Sequence, residues 1–288
     1  MRWILGLDTR HLSQGALHFA VWMARQMKDR DVEIVPIHVL EHDMMMMRLR
    51  RQHLQEVLDE AQVAAQDAIN EAGAADVVAD VEVVQAMTAD AYLADAVRLH
   101  GADGVIIGRA AAADSEAIIR LGRVARRLTR ELPATVVVVP PSLTAADLGD
   151  GPITCAVDPT PGSRDAALST LDFAKGVGRD AVFLNTAPHV STSLRSNVPD
   201  PDLVAVSRTQ AKEKMARYCE THGLGPAEQE ILYGPVPDVV LGRVAQLRAP
   251  LIACGSRRLG LAQRVFASSF GTDLARNAAT PVMIVPPR

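Results

Sequence analysis

The sequence predicts an α/β protein made of two tandem modules, each built on a doubly wound parallel sheet. Three observations lead to this fold class. The second half of the chain repeats the pattern of the first, short apolar runs alternate with amphipathic segments, and each half closes with a valine-containing run followed by two prolines. Self-similarity at a long period indicates a duplicated unit. Alternating strand and helix patterns indicate parallel strands joined by right-handed crossovers.

Each half begins with an apolar run that ends in an aspartate. The run "WILGLD" ends at Asp8, and "ITCAVD" ends at Asp158. A helical pattern starts shortly afterwards, at Ser13 in the first half and at Ser163 in the second. We expect both serines to be N-caps, because a seryl hydroxyl can accept hydrogen bonds from the free N–H groups of the first turn.

The later strands repeat as well. His38 in "EIVPIHVLE" aligns with Asn185 in "AVFLNTAP", and Gly108 in "GVIIGR" aligns with Gly255 in "LIACGS". Runs that are apolar throughout are typical of strands covered on both faces. Doubly wound sheets bind ligands at the carboxyl ends of their strands, so both glycines are candidates. His38 has two interpretations, a group that touches a ligand or a histidine hydrogen-bonded within the crevice.

The length of the chain, 288 residues, suits two domains of ordinary size. The stretch "SLTAADLGDG" between the repeats is small and polar, as expected of a linker. We therefore assign a first module to residues 1–141, a linker to 142–151 and a second module to 152–288. The closing strands "TVVVV" and "VMIV" are expected pairing edges, because each offers unpaired backbone groups.

Composition and motifs exclude several functional classes. A net charge of −4 and 3% aromatic residues offer neither a general attraction to nucleic acid nor stacking platforms for it. No apolar run is long enough to span a membrane and the N-terminus lacks a secretory pattern, so we expect a cytoplasmic protein without a membrane partner. The motifs G-x4-GK[ST], G-x-S-x-G and H-E-x-x-H are absent. We therefore predict no catalytic residue and no metal ligand.

Sulfur-containing residues invite a metal or redox interpretation. Cys155, Cys219 and Cys254 form no paired motif, and we expect the strand cysteines Cys155 and Cys254 to act as small buried hydrophobic residues. The run Met44–Met47 could bind a soft metal or form a flexible apolar patch. We favour the patch, because four consecutive side chains point all round a helix.

These features together resemble the universal stress protein family. Its modules begin with an apolar strand ending in Asp, carry G-x2-G-x9-G-[ST] after the fourth strand, and close with a Pro- and Val-rich strand such as "TPVMIVPP". The resemblance covers nearly the whole chain, twice. It implies adenine nucleotide alpha hydrolase-like, or Rossmann-like, sheets packed as an intrachain pseudo-dimer. It leaves open whether two chains associate further as a homodimer.

For the second module the resemblance implies an ATP site, in which the aspartate lies near the adenosine. Glycines let the backbone approach the phosphates at a helix N-terminus, and a hydroxyl donates to a phosphate oxygen. Arg258 occupies the place of the second glycine, so Gly260 would replace it on a longer loop. The alternative is a long turn whose glycines serve geometry alone. The predicted residues are Asp158, Gly255, Ser256, Gly260, Gly271 and Thr272.

The first module carries a weaker version of the same site, with Asp8, Gly108 and Gly122 as counterparts. Ala111 stands where the second glycine belongs, and the final pair is Gly122-Arg123, which lacks a hydroxyl. The methyl group of Ala111 closes space that a phosphate contact needs. The arginines that follow are interpreted as a solvated basic helix face: Arg123, Arg126, Arg127 and Arg130.

The leading hypothesis is a non-catalytic stress-response or regulatory protein. It would bind ATP or a related adenine nucleotide mainly in the second module, with at most weak hydrolysis. Mg²⁺ would arrive with the nucleotide, because the sequence shows no protein cage for it. One alternative is an interaction scaffold whose glycine motifs are relics. A further alternative is an enzyme that uses the second-module crevice.

Overall fold

The structure, a computed structural model, describes residues 1–8, 13–43, 45, 53–109, 121–187, 201–225, 227–256 and 270–287. Met44, Met46, Met47, Ala111 and Gly260, which the sequence analysis singles out, lie outside them. The strands are β1 (Arg2–Leu7), β2 (Glu33–Glu41), β3 (Glu82–Ala86), β4 (Gly104–Gly108), β5 (Thr135–Val139), β6 (Ile153–Ala156), β7 (Ala181–Ala187), β8 (Glu228–Tyr233), β9 (Ile252–Gly255) and β10 (Val282–Val285). The α-helices are α1 (Gln14–Gln26), α2 (Leu54–Glu71), α3 (Ala89–Leu99), α4 (Arg123–Glu131), α5 (Arg164–Gly176), α6 (Pro201–His222), α7 (Asp238–Gln246) and α8 (Phe270–Asn277).

The chain divides into two compact units. The first unit contains residues 1–148 together with 275–284, and the second contains residues 149–274 together with 285–288. The module boundaries drawn from the sequence stay a prediction, because a set of residues in mutual contact need not coincide with one sequence repeat.

The sheet of the first unit runs in the order β3-β2-β1-β4-β5, with all neighbours parallel, and β10 pairs with β5. The last pair is antiparallel, with Val282 opposite Val138 and Ile284 opposite Val136. The predicted alternation of strands and helices and the pairing of the two closing strands are therefore confirmed. The order reverses between β1 and β4, because the chain moves outward to β3 and then returns to the other side of β1.

The second unit repeats this arrangement with strands in the order β9-β6-β7-β8, all parallel. This order corresponds to β4-β1-β2-β3 of the first unit. The predicted fold class, tandem doubly wound sheets, is confirmed. Here the reversal lies between β6 and β9, because the chain passes from β6 outward to β7 and β8 and then returns to β9 on the other side of β6.

Burial on both faces explains why β10 and most of β5 are apolar, whereas β3 and β8 are only partly buried and carry polar residues. Consecutive residues of β5, from Val136 to Val139, are buried, and every residue of β10 is buried as well. On one side of the first sheet, α1 contributes the fully buried side chains of Leu17, Phe19 and Met23. Complete burial of such a side chain stabilises the fold by about 1.5–3 kcal/mol. The buried apolar strands thus fix the positions of the residues at their carboxyl ends.

The described part of the chain contains no helix that is both long and apolar enough to cross a membrane.

Candidate functional site

The carboxyl ends of β6 and β9 lie side by side at the strand-order reversal of the second unit. The two strands pair in parallel, with Ala156 opposite Cys254. Asp158 follows β6 by two residues, and Gly255 is the last residue of β9. Ligands of open α/β sheets bind in the crevice at such a reversal. The structure thus brings together two of the residues that the sequence predicts for an adenine nucleotide site.

The backbone around Asp158 is held by hydrogen bonds on both sides. The amide of Val157 donates to the carbonyl oxygen of Leu184 at 2.9 Å, and the side-chain Nδ2 of Asn185 donates to the carbonyl oxygen of Val157 at 2.6 Å. The amide of Asp158 itself donates to Oγ of Ser163 at 3.2 Å. Asp158 is half-buried. The backbone at Asp158 is therefore fixed by bonds from both neighbouring elements.

Ser163 does not serve as the helix cap that the sequence analysis expects. Helix α5 begins directly after it, but its hydroxyl accepts from Asp158 and makes no bond to the first turn. Ser13 behaves in the same way, accepting from the amide of Asp8 at 3.0 Å and donating to the carbonyl oxygen of Asp8 at 2.9 Å. The capping prediction is wrong in both repeats. In each repeat, the serine hydroxyl instead accepts a hydrogen bond from the backbone amide of the aspartate.

Gly255 makes a close approach to the loop after Asp158. A β-carbon added at this position would lie 2.5 Å from the carbonyl oxygen of Gly162 and 3.3 Å from Cα of Ser163. Contacts below 3.0 Å to backbone atoms require the backbone to move, so a residue with a side chain does not fit here. The requirement for glycine at this position therefore has a structural cause that is independent of any ligand.

The remaining predicted residues of the second unit lie on either side of the segment 257–269, which is outside the described residues. The amide of Ser256 donates to the carbonyl oxygen of Val285 at 3.0 Å. Gly271 and Thr272 lie in the first turn of α8. Asp273 lies in the same turn and places a negative charge there. A negative charge in this turn repels an anion placed at the helix end.

The first unit builds the same frame around Asp8. Asp8 follows β1 directly, and Nδ1 of His38 lies 3.1 Å from the carbonyl oxygen of Leu7. Because a carbonyl only accepts, Nδ1 carries the proton and donates. His38 and Asn185, which align in the sequence, thus make the same bond in the two units. This contact supports the interpretation of His38 as a histidine that is hydrogen-bonded within the crevice.

The end of β4 differs from the end of β9 in the residue that follows the glycine. Gly108 is followed by Arg109, where Gly255 is followed by Ser256. Each amide bonds the last residue of a valine-rich strand: that of Ser256 bonds Val285, and that of Arg109 donates to the carbonyl oxygen of Val139 at 2.8 Å. The Arg109 side chain is buried, and its guanidinium donates to the carbonyl oxygen of Ala278. Desolvation lowers the pKa of Arg109. The Arg109 side chain is therefore directed to the segment that precedes β10.

Gly122, the other predicted glycine of the first unit, precedes α4. Its amide donates to the carbonyl oxygen of Arg109 at 2.9 Å. Its φ is −58°, a value that any residue adopts. The backbone conformation therefore supplies no reason for glycine at this position.

The arginines of α4 do not all form the solvated face that the sequence analysis expects. Nη1 of Arg127 lies 2.9 Å from Oδ2 of Asp90, whose side chain is only 6% exposed, and Arg123 contacts both Asp90 and Glu41. Burial by itself raises the pKa of Asp90. Hydrogen bonds, that from Arg127 foremost, and the charge of Arg123 outweigh burial and hold this pKa below its ordinary value. Two of the four arginines thus form a network with buried or half-buried carboxylates.

The cysteines are free and buried, as predicted for Cys155 and Cys254. Desolvation raises the pKa of Cys155 to about 12 and also raises the pKa values of Cys219 and Cys254. All three sulfurs are therefore protonated thiols at neutral pH. A thiolate is the reactive form of cysteine, so none of these residues is an activated nucleophile.

Sequence reasoning missed two features of this site. The alignment of His38 with Asn185 was visible, but it did not show that Asn185 bonds the residue before Asp158. The network of Asp90 with α4 gave no signal, because an acidic residue in a first helical turn is common and its partner is distant in sequence.

Two doubly wound units in one chain, each with an aspartate after its first strand and a glycine at the end of its fourth, define a tandem Rossmann-like α/β protein. The model of the universal stress protein family matches the chain twice, at residues 1–140 and 151–286. The chain therefore belongs to the universal stress protein family. No curated protein matches it.

Solved structures share this fold over the full length. A universal stress protein from Archaeoglobus fulgidus DSM 4304 has a TM-score of 0.65 and 16% identity, covering 100% of this chain and 98% of that chain. A functionally unknown protein from Pseudomonas aeruginosa PAO1 has a TM-score of 0.63 and 16% identity, covering 99% of this chain and 92% of that chain. At this identity the similarity shows a shared fold.

Proposed function

We propose that this universal stress protein is a non-catalytic regulator that binds ATP or a related adenine nucleotide with its second unit. One observation carries the proposal: Asp158 and Gly255 lie together at the strand-order reversal between β6 and β9. This edge is where doubly wound sheets bind ligands. The Asp158 backbone is already held by Asn185 and Ser163, so binding would not have to order it.

In the proposed complex the Asp158 carboxylate accepts from the adenosine moiety. Gly271 and Thr272 supply backbone N–H groups and a hydroxyl to the phosphates at the start of α8, and Mg²⁺ arrives with the nucleotide to offset the charge of Asp273. Gly255 and Ser256 form the floor at the end of β9. The first unit has Arg109 where the second has Ser256, and its Gly122-Arg123 pair lacks the hydroxyl that Thr272 supplies, so we propose one nucleotide per chain.

The test is isothermal titration of MgATP into the full chain, with two matched variants. Asp158→Ala removes the proposed adenosine contact, and Asp8→Ala makes the same change in the first unit. We expect one site per chain, affinity lowered by about tenfold or more in Asp158→Ala, and no change in Asp8→Ala, since a charge-assisted hydrogen bond contributes about 1.5–3 kcal/mol. Equal losses in both variants would contradict the assignment to the second unit. Absence of heat with the wild-type chain would end the proposal.

The alternative is an interaction scaffold that binds no nucleotide, and one observation favours it. Gly255 is required by its approach to the Gly162 carbonyl alone, so the glycine would be retained without a ligand. MgATP titration of the wild type and of Thr272→Ala separates the two candidate functions. Under the proposal the wild type binds MgATP and the variant binds it more weakly, whereas a scaffold binds no MgATP in either form.

We propose the cytoplasm as the compartment, because three cysteines remain unpaired, as expected where thiols are kept reduced. Sedimentation of the purified chain tests whether two chains associate further.

A further inference from the structure

Asn185 extends the pairing of β6 and β7 beyond the last backbone pair. Ala156 opposite Leu184 is the final registered pair of these strands. One residue further, Nδ2 of Asn185 donates to the carbonyl oxygen of Val157 at 2.6 Å. Asn185 is 8% exposed, so water competes little for this bond. A carbonyl can only accept, so the orientation of the amide group is determined: Nδ2 faces Val157, and Oδ1 faces away from it.

This bond acts on the peptide group that carries Asp158. The Val157 carbonyl and the Asp158 amide belong to one planar unit. Asn185 holds the oxygen of that plane, and Ser163 accepts from its N–H at 3.2 Å. A plane held at both its oxygen and its nitrogen cannot rotate, so the direction in which the Asp158 side chain leaves the backbone is restricted as well.

We infer that Asn185 is a positioning residue for Asp158, setting the direction of its carboxylate in the crevice of the second unit. The inference rests on the proposed nucleotide site for its functional consequence. The first unit supports the geometry independently, because His38 makes the equivalent bond to Leu7 at 3.1 Å and Ser13 accepts from Asp8 at 3.0 Å. Two different side chains thus serve the same purpose in the two repeats.

The chain itself suggests the variants. Asn185→Asp preserves the size of the side chain but replaces the donor with a carboxylate, which cannot donate to the Val157 carbonyl. Asn185→His introduces the donor that the first unit uses. His38→Asn makes the reverse exchange in the first unit and serves as the control.

MgATP titration of the full chain gives the functional result. We expect Asn185→Asp to weaken binding by about tenfold, the effect of one lost hydrogen bond that leaves a buried acceptor unsatisfied. Asn185→His restores affinity to within about threefold of the wild type, and His38→Asn leaves it unchanged. Wild-type affinity in Asn185→Asp would overturn the inference, and so would a loss in Asn185→His equal to that in Asn185→Asp.

Amide hydrogen exchange of the nucleotide-free chain, followed by NMR, separates this inference from the proposed function. We expect the Asp158 amide to exchange about tenfold faster in Asn185→Asp than in the wild type, and at the wild-type rate in Asn185→His. The Cys155 amide, within β6, is the reference for unfolding of the strand as a whole. If the wild type binds no MgATP, the proposed function fails while the exchange rates still decide the positioning role. An unchanged Asp158 rate in Asn185→Asp would refute that role.

Discussion

Asp90 and Arg127 form an ion pair in which Nη1 lies 2.9 Å from Oδ2 and the Asp90 side chain is almost completely buried. Asp90 lies in the first turn of α3, and Arg127 lies on α4. The pair therefore joins two helices, and Arg123 adds a second positive charge, with its Nε 3.5 Å from Oδ1 of Asp90. A carboxylate in this position contributes to stability only while it is ionised and paired.

The first prediction concerns the removal of this charge. We expect Asp90→Asn to lower the free energy of unfolding by about 2 kcal/mol, because hydrogen bonds to charged groups contribute about 1.5–3 kcal/mol. The control is Glu131→Gln, which breaks the pair of Arg127 with an exposed partner and should cost less than about 0.5 kcal/mol. Urea denaturation of both variants measures the difference. Equal losses of unfolding free energy in the two variants would show that burial does not strengthen the contribution of Asp90 to stability.

The second prediction concerns pH. The pKa of Asp90 in the folded protein lies below its unfolded value, which is about 3.9. Its stabilising effect is therefore fully present above the unfolded pKa and is lost as the pH falls through the folded pKa. The gap in free energy of unfolding between wild type and Asp90→Asn should be constant from about pH 7 to pH 5 and shrink below that. A gap that widens as the pH falls would contradict the sign of the shift.

The third prediction concerns Gly255. A β-carbon at this position would meet the Gly162 carbonyl oxygen at 2.5 Å, so Gly255→Ala should lower the free energy of unfolding by about 1–3 kcal/mol. Gly242 is the matched control, because it lies within α7 and a β-carbon there meets no atom within 4 Å. Gly242→Ala should raise stability by about 0.5–1 kcal/mol. Thermal unfolding followed by circular dichroism measures both changes. If Gly255→Ala leaves the free energy of unfolding unchanged, the backbone at Gly162 can move at little energetic cost.

The fourth prediction concerns the buried cation of the first unit. Arg109→Ser copies the residue at the equivalent place of the second unit, but it removes the bond to Ala278 and leaves a cavity. We expect a loss of about 3 kcal/mol in the free energy of unfolding. Arg109→Met also lacks the bond to Ala278 but keeps most of the volume, so it should lose about half as much. Chemical denaturation compares the two, and an equal or larger loss in Arg109→Met would mean that the cavity contributes little to the cost of Arg109→Ser.

Much of the fold could be predicted because its signals are local. Apolar runs, amphipathic segments and their repetition predicted the strands, the helices and the duplication, and Asp158 and Gly255 were placed at strand ends by the same patterns. The capping role of Ser13 and Ser163 was predicted wrongly, since a hydroxyl before a helix has two acceptable partners. Whether the hydroxyl bonds the first turn of the helix or the backbone of the aspartate depends on the conformation of the loop between the strand and the helix.

The sequence by itself determined the duplicated α/β architecture and the positions of the candidate residues along it. This was possible because side-chain periodicity depends on neighbours a few residues away. Only the tertiary structure decided which groups meet at the strand ends. Asn185 reaches Val157 across 28 residues and Arg127 reaches Asp90 across 37. Such bonds depend on strand order, on burial that excludes competing water, and on the direction of each side chain, and no local pattern encodes these.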